Sequence, residues 1–277
     1  MIVVTGTKRS GTSMWMQILT ASGLPHIGAA FPGIWEDSIK EANPRGFYES
    51  AFRKGIYFAT NPHPQTGAYI RPEQCRTHVV KVFIPGVIRT ELGFLDRVVA
   101  SLRPWREYSA SIQNLYRMED AHLAKGGPVT VEEAQAKRPK IPPEVEWWFD
   151  NYELLRDMVV RRYPVHMCSY PRLLADPETE IRRVLRWLDR EEHLAAAIAA
   201  VDTGLRTQQD APYTSEVLNP EQIAVMDEYF DRMHGQLGLS AEFLGRANTL
   251  QEQLESRFLT ASKPTCSCQT MAMRPEQ

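Results

Sequence analysis

The chain has 277 residues, of which 24% are charged and 43% hydrophobic, and its formal net charge is −2. That balance excludes a broadly basic surface, so nucleic acid and anionic membranes are not expected partners. No apolar run reaches the about 20 residues of a membrane span, and four cysteines (Cys75, Cys168, Cys266, Cys268) are too few and too scattered for a disulfide scaffold. No basic-then-apolar leader precedes the first strand, so a cytoplasmic location is expected. The length fits one α/β domain over 1–262, with insertions at about 28–76 and 120–143 and a disordered tail at 263–277.

The first predicted element is a strand at Ile2–Thr5. It runs into a turn rich in Gly, Ser and Thr, and then into a helix at Thr12–Ser22 that opens on capping-type residues and ends before Gly23. Residues 28–76 carry five prolines and many aromatics and read as a long ordered loop over a site. Strands follow at His78–Ile84 and Arg97–Leu102. Pro104 starts a helix expected over Trp105–Arg117. Asp120–Pro143 is charged and loop-like. Trp148, Tyr152, Leu155 and Val159 recur at helical spacing, as do Ile181, Val184, Leu185 and Leu188, on either side of a strand at Val165–Ser169. The strands are short, Val- and Ile-rich and lack polar alternation, which suits a parallel sheet covered on both faces. The expected fold is therefore a P-loop-type α/β layer: a central parallel sheet of about four to five strands flanked by helices. Amphipathic helices at Glu221–His234 and Ala241–Phe258 are expected to pack on the body or on a partner subunit, which leaves a homo-oligomer open. The histidines are scattered without metal-ligand spacing. Cys266 and Cys268 have no second ligand pair, and no metal is expected.

Chemistry is concentrated in the first turn, GTKRSGTS. A strand–turn–helix gathers backbone N–H groups and a helix N-terminus at one point and so binds an anion. Lys8 and Arg9 add positive charge, and Thr12 and Ser13 add hydroxyls. The spacing of Gly6 and Gly11 is that of a Walker A loop, but Thr12 stands where that loop needs lysine. Neither Arg97–Leu102 nor HVVKVFI ends in a carboxylate that would hold Mg²⁺.

TKRSGTS resembles the phosphosulfate loop of the PAPS-dependent sulfotransferases, in a bacterial branch that shares stretches like EANPRGFYE. The resemblance implies that Arg9 is the catalytic basic residue of the loop and that Ser10, Gly11, Thr12 and Ser13 cradle the 5′-phosphate. RVVASLRPWREYSAS matches the segment of that family that grips the 3′-phosphate, which assigns that group to Arg103 and Ser111. Within SYPRLLADPETEIRRVLRWL, Tyr170 is placed near the adenine. The implied reaction moves a sulfuryl group from PAPS, leaving PAP, to a hydroxyl or amine of a small-molecule acceptor, without a metal.

The chain departs from the family pattern at several points. Lys81 matches a family lysine, but Phe83 stands where the catalytic histidine would be and cannot take a proton. Glu49, among Phe47, Tyr48 and Phe52, and Glu36 are the two candidate bases. Met14 and Trp15 replace a single tryptophan after the loop, so the residue that stacks on adenine stays open. No Arg-Lys-Gly loop is seen, and Arg206 is a candidate substitute cation. Two other classes stay open: a P-loop phosphotransferase, and a PAP- or PAPS-binding homologue without turnover.

Overall fold

The computed structural model describes residues 1–31, 43–63, 65–125, 129–202, 204 and 213–259. Five parallel strands form one sheet: β1 (Ile2–Gly6), β2 (His26–Ile27), β3 (Val79–Lys81), β4 (Arg97–Leu102) and β5 (Val165–Ser169). Their order is β2-β3-β1-β4-β5, so the chain leaves the central strand to one side and returns to the other. Ligands of open α/β sheets bind beyond the carboxyl ends of the strands, at the point where that direction switches.

Strand alternation divides the core. Ile2 and Val4 of β1, with Val99 of β4, pack on Trp15, Ile18 and Leu19 of α1 (Thr12–Ala21). Val3, Val98 and Ala100 face the opposite side, against Phe52, Ile84, Val87 and Phe94. Both faces are covered, which is why these strands read as continuous apolar runs. A third cluster joins α3 (Trp105–Leu123) and α5 (Pro143–Arg161) to α9 (Pro220–His234) and α10 (Ala241–Phe258), through Trp105, Trp147, Trp148, Met226, Tyr229 and Phe243. The last two helices therefore pack on the body of the same chain.

Several expectations are corrected. The strand expected over His78–Ile84 covers only Val79–Lys81, because Ile84–Arg89 coils into a helix (α2) with Phe83 as its extended N-cap. Pro85, at a first-turn position, favours that helix. β2 escaped prediction because two residues carry no readable period. Asp120–Pro143 is not a plain loop. α3 runs to Leu123, and Thr130 caps a short helix (α4, Val131–Ala136) by accepting from the Glu133 N–H while the Glu133 side chain returns to the Thr130 N–H. Arg138 ties that segment back to α3 by pairing with both oxygens of Asp120 at 2.7 and 3.0 Å. The other α-helices among the described residues are α6 (Tyr170–Ala175), α7 (Pro177–Trp187) and α8 (Leu194–Ala199). Among the described residues, no helix is long and apolar enough to cross a membrane. The expected tail at 263–277 lies outside the described residues.

Candidate functional site

The turn after β1 is held by its own backbone and by its neighbours. Arg9 adopts φ 63° and Gly11 φ 92°, both in the left-handed region, which glycine tolerates and arginine enters only when its surroundings hold it there. A Cβ on Gly11 would stand 2.5 Å from Tyr170 Cδ2, so only glycine lets the loop lie against that ring. The Ser10 hydroxyl donates to the Thr7 carbonyl at 2.7 Å, and Ser101, at the end of β4, donates to the Ser10 carbonyl at 2.6 Å. α1 begins at Gly11, not on a capping side chain: no side chain caps its N-terminus. Its first N–H groups and the positive end of its dipole are therefore presented to whatever sits above the turn. Thr7 Oγ1 in the same turn is buried and has no hydrogen-bond partner among the described residues.

A cavity of about 500 Å³ opens above this turn. Lys8, Arg9, Gly11, Thr12 and Ser13 line it, as do Glu49, Lys81, Arg103 and Tyr170, so most of the candidates from scattered segments meet here. Arg103 is buried at the carboxyl end of β4. Its Nη1 donates to the Arg9 carbonyl at 3.0 Å, its Nε pairs with Glu107 at 3.2 Å, and its guanidinium lies 5.0 Å from the Tyr170 ring centroid. Arg9 reaches the same side, where its Nε donates to Ser111 Oγ at 3.2 Å. Burial first, and Arg103 second, lower the Arg9 pKa from the usual guanidinium value. Two arginines close together at a buried loop favour an anion between or above them.

The other end of the cavity is built around Glu49. An antiparallel bridge to Ala29 fixes its backbone, with both N–H···O bonds at 3.1 Å. Its side chain is buried and takes a cation on each oxygen: Lys81 Nζ at 3.1 Å on Oε1 and Arg53 Nη1 at 3.0 Å on Oε2. Lys81 also donates to the Phe47 carbonyl at 3.1 Å and to Ser13 Oγ at 3.2 Å, so the ammonium has three acceptors. Burial lowers the Lys81 pKa, and Glu49 counters that shift. Phe83, which replaces the expected histidine, lies with its ring centroid 5.5 Å from Lys81 Nζ. Apolar side chains of α3, among them Ile112, Leu115 and Met118, form a wall at helical spacing, with Glu119 on the same helix.

Not every candidate arrives as expected. Ser10 is fully buried and does not line the cavity: its hydroxyl and its N–H both donate to the Thr7 carbonyl and its own carbonyl accepts from Ser101, so it shapes the turn and does not reach a ligand. Ser111 stands behind the wall and touches Arg9. Trp15 is fully buried in the core under the sheet and cannot stack on a ligand, whereas Met14 borders the cavity. Glu36 and Arg206 lie outside the described residues. Arg53 and Lys54, two further cations at the cavity, were missed; both sit on a short 3₁₀ turn (Ala51–Lys54) that follows the Glu49 bridge, a placement the local sequence does not announce. The face of α3 was legible, since Ile112, Leu115 and Glu119 repeat at three and four residues. Compared with known proteins, the chain matches no family model and no curated relative.

Proposed function

We propose that the chain is a sulfotransferase that moves a sulfuryl group from PAPS to the hydroxyl or amine of a small-molecule acceptor. The observation that carries this reading is the meeting of Arg9 and Arg103 at one cavity over the uncapped start of α1. PAPS carries anionic groups at both its 5′ and 3′ positions, and these residues fit such a molecule. N–H groups at the start of α1 are suited to the 5′-phosphate and Arg103 to the 3′-phosphate, with Ser111 acting from behind the wall through Arg9. Tyr170, already beneath one guanidinium, offers an aromatic ring beside the adenine. When bound, PAPS supplies the sulfuryl group and leaves as PAP.

At the opposite end Glu49 is the carboxylate in position to accept the acceptor's proton. Each of its oxygens already accepts from one cation, and a carboxylate oxygen can accept from a second donor as well. Lys81 holds Glu49 in place and joins it to Ser13 of the loop. The Ile112, Leu115 and Met118 wall suits an acceptor with an apolar body. Binding without transfer is the second reading, and one observation favours it: Phe83 leaves Lys81 and Glu49 closed on each other with no titrating side chain at the histidine position.

The test is thermal stabilisation followed by transfer. A ligand that binds only the native state stabilises it by about 2.7 kcal/mol at a hundredfold excess over its Kd. PAP is expected to raise Tm well above the effect of adenosine 5′-phosphate or of ATP with Mg²⁺. Equal shifts from PAP and adenosine 5′-phosphate would remove the 3′-phosphate grip. Radiolabelled PAPS offered with phenols, alcohols and amines separates the two readings: labelled product supports transfer, and tight PAP binding with no product supports binding alone.

A further inference from the structure

The phosphate loop carries two adjacent cations, and the fold sends them in different directions. Arg9 turns to Ser111. Lys8 turns to α5, where its Nζ lies 3.5 Å from Glu146 Oε1. The Lys8 side chain is 44% exposed and borders the cavity, whereas Glu146 is 19% exposed. Glu146 is the anchored partner of the two. Its other oxygen accepts from Tyr108 Oη at 3.3 Å, and Tyr108 is buried in α3. Burial holds the Tyr108 phenol well above its usual range, so it stays a donor. Asp150 follows Glu146 by one helical turn on the same helix and adds a second carboxyl beside Lys8.

We propose that Glu146 is a positioning residue that holds the Lys8 ammonium against α5 at the border of the anion cavity while no ligand is bound, and that an incoming adenosine bisphosphate draws Lys8 off Glu146 onto its own phosphates. The inference rests on the PAPS reading above. The physics is a competition between anions for one mobile cation. The Lys8–Glu146 contact is long and half-exposed, so breaking it costs little, whereas a phosphate dianion beside a helix N-terminus is the stronger partner. Arg9 has no such freedom, because its left-handed backbone and its bond to Ser111 fix it. Lys8 is therefore the loop cation that answers to ligand binding, and Glu146 sets how readily it does so.

The test is PAP affinity by calorimetry in a double-mutant cycle. Glu146→Gln keeps an acceptor for Tyr108 and removes the charge that holds Lys8. It should tighten PAP binding by roughly two- to fivefold, the equivalent of an ion pair worth up to about 1 kcal/mol. Damage to the fold would act in the opposite direction. Lys8→Met should weaken PAP binding, and in that background Glu146→Gln should change nothing. A gain that persists without Lys8 would mean that Glu146 acts on the ligand directly, and the positioning role would be lost. Lysine modification in the wild-type chain gives a measurement that needs no variant: PAP should change the reactivity of Lys8, and unchanged reactivity overturns the proposal. PAP binding that Glu146→Gln leaves unaltered sinks this inference alone. A wild-type chain that does not bind PAP removes the PAPS reading and this inference with it.

Discussion

The two ends of the cavity handle buried positive charge in different ways. At the loop, Arg9 is disfavoured as a cation by burial and by Arg103, so an anion placed beside it is favoured. At the far end, Lys81 is more deeply enclosed, but Glu49 is in direct contact with it and Arg53 completes the group. Among the described residues, the first end sets two arginines against one carboxylate, Glu107, beside the uncapped start of α1. The second has both oxygens of Glu49 engaged by cations, and has a hydrogen-bonding group and an apolar wall to offer. A donor with two anionic groups and an acceptor with a hydroxyl would divide between them on that basis.

The sharpest way to break this contrast is to unbalance the far end. Glu49→Gln keeps the shape of the side chain and one acceptor oxygen but removes the negative charge that Lys81 and Arg53 share, leaving a buried ammonium without its counter-ion. Removing one partner of a buried pair costs about 3–5 kcal/mol. The expected outcome is a loss of that order in denaturant unfolding, together with lost transfer if Glu49 is the base. Adding Lys81→Met should recover most of the stability, since the stranded charge is gone, while transfer stays low. If Glu49→Gln is as stable as wild type, Lys81 is not held by charge pairing and the contrast fails. If Glu49→Gln is unstable yet transfers normally, Glu49 is a counter-ion and not a base.

The same contrast explains what could be read in advance. The loop end is local: strand, turn, Arg9 and helix lie within one run of residues, and Arg103 with Ser111 lies within another, so each run could be matched as a motif by its resemblance to a known family. The far end is assembled over distance. Glu49 meets Lys81 across 32 residues and reaches it only because the chain from Gly28 folds back to bridge Ala29 with Glu49. Nothing in the local pattern around Phe47 announces that return. Four of the five strands were legible because each is a short apolar run; β2 was not, because its two residues gain their meaning only from pairing with β3. Ser10 shows the limit within the motif itself. Its place in the loop was right, but the direction of its hydroxyl is set by the Thr7 carbonyl, which spacing does not reveal.

At the loop end, Arg103→Ala should weaken PAP binding by about 1.5–3 kcal/mol, the range for a hydrogen bond to a charged group, or roughly tenfold to a hundredfold in Kd. The fold should persist, since β4 is secured by pairing with both β1 and β5. Arg103 also donates to the Arg9 carbonyl, so part of the loss comes through a loosened loop. Arg103→Lys separates the two contributions. It keeps the charge but cannot fork onto two acceptors, and it should recover only part of the affinity. Full recovery would mean that Arg103 contributes a point charge only. Unchanged affinity in Arg103→Ala would move the 3′-phosphate elsewhere.

The smallest expected effect concerns Asp150, on the helix that carries Glu146 beside the loop. Burial first and Glu146 second push its carboxyl up to about 8, with Glu153 adding repulsion and Lys8 opposing it; Tyr108 donates to Glu146. A carboxyl raised in the native state holds its proton there after the unfolded chain has released it. Its contribution to stability is therefore complete below the ordinary value of 3.8 and is lost as pH rises through about 8. Asp150→Asn cannot titrate, so wild type and variant should be closest in stability near pH 4 and diverge as pH rises, with the variant ahead by about 1 kcal/mol near pH 9, a modest figure because solvent screens a half-buried group. Paired unfolding curves across that range check the sign, and a variant that falls behind at high pH would mean that the Asp150 charge is welcome in the fold. Glu146→Gln sharpens the result by removing the second cause of the upward shift, so the divergence should shrink and level off at lower pH. If it does neither, burial alone sets the titration of Asp150, and the carboxyl beside Lys8 responds to its enclosure and not to its neighbour.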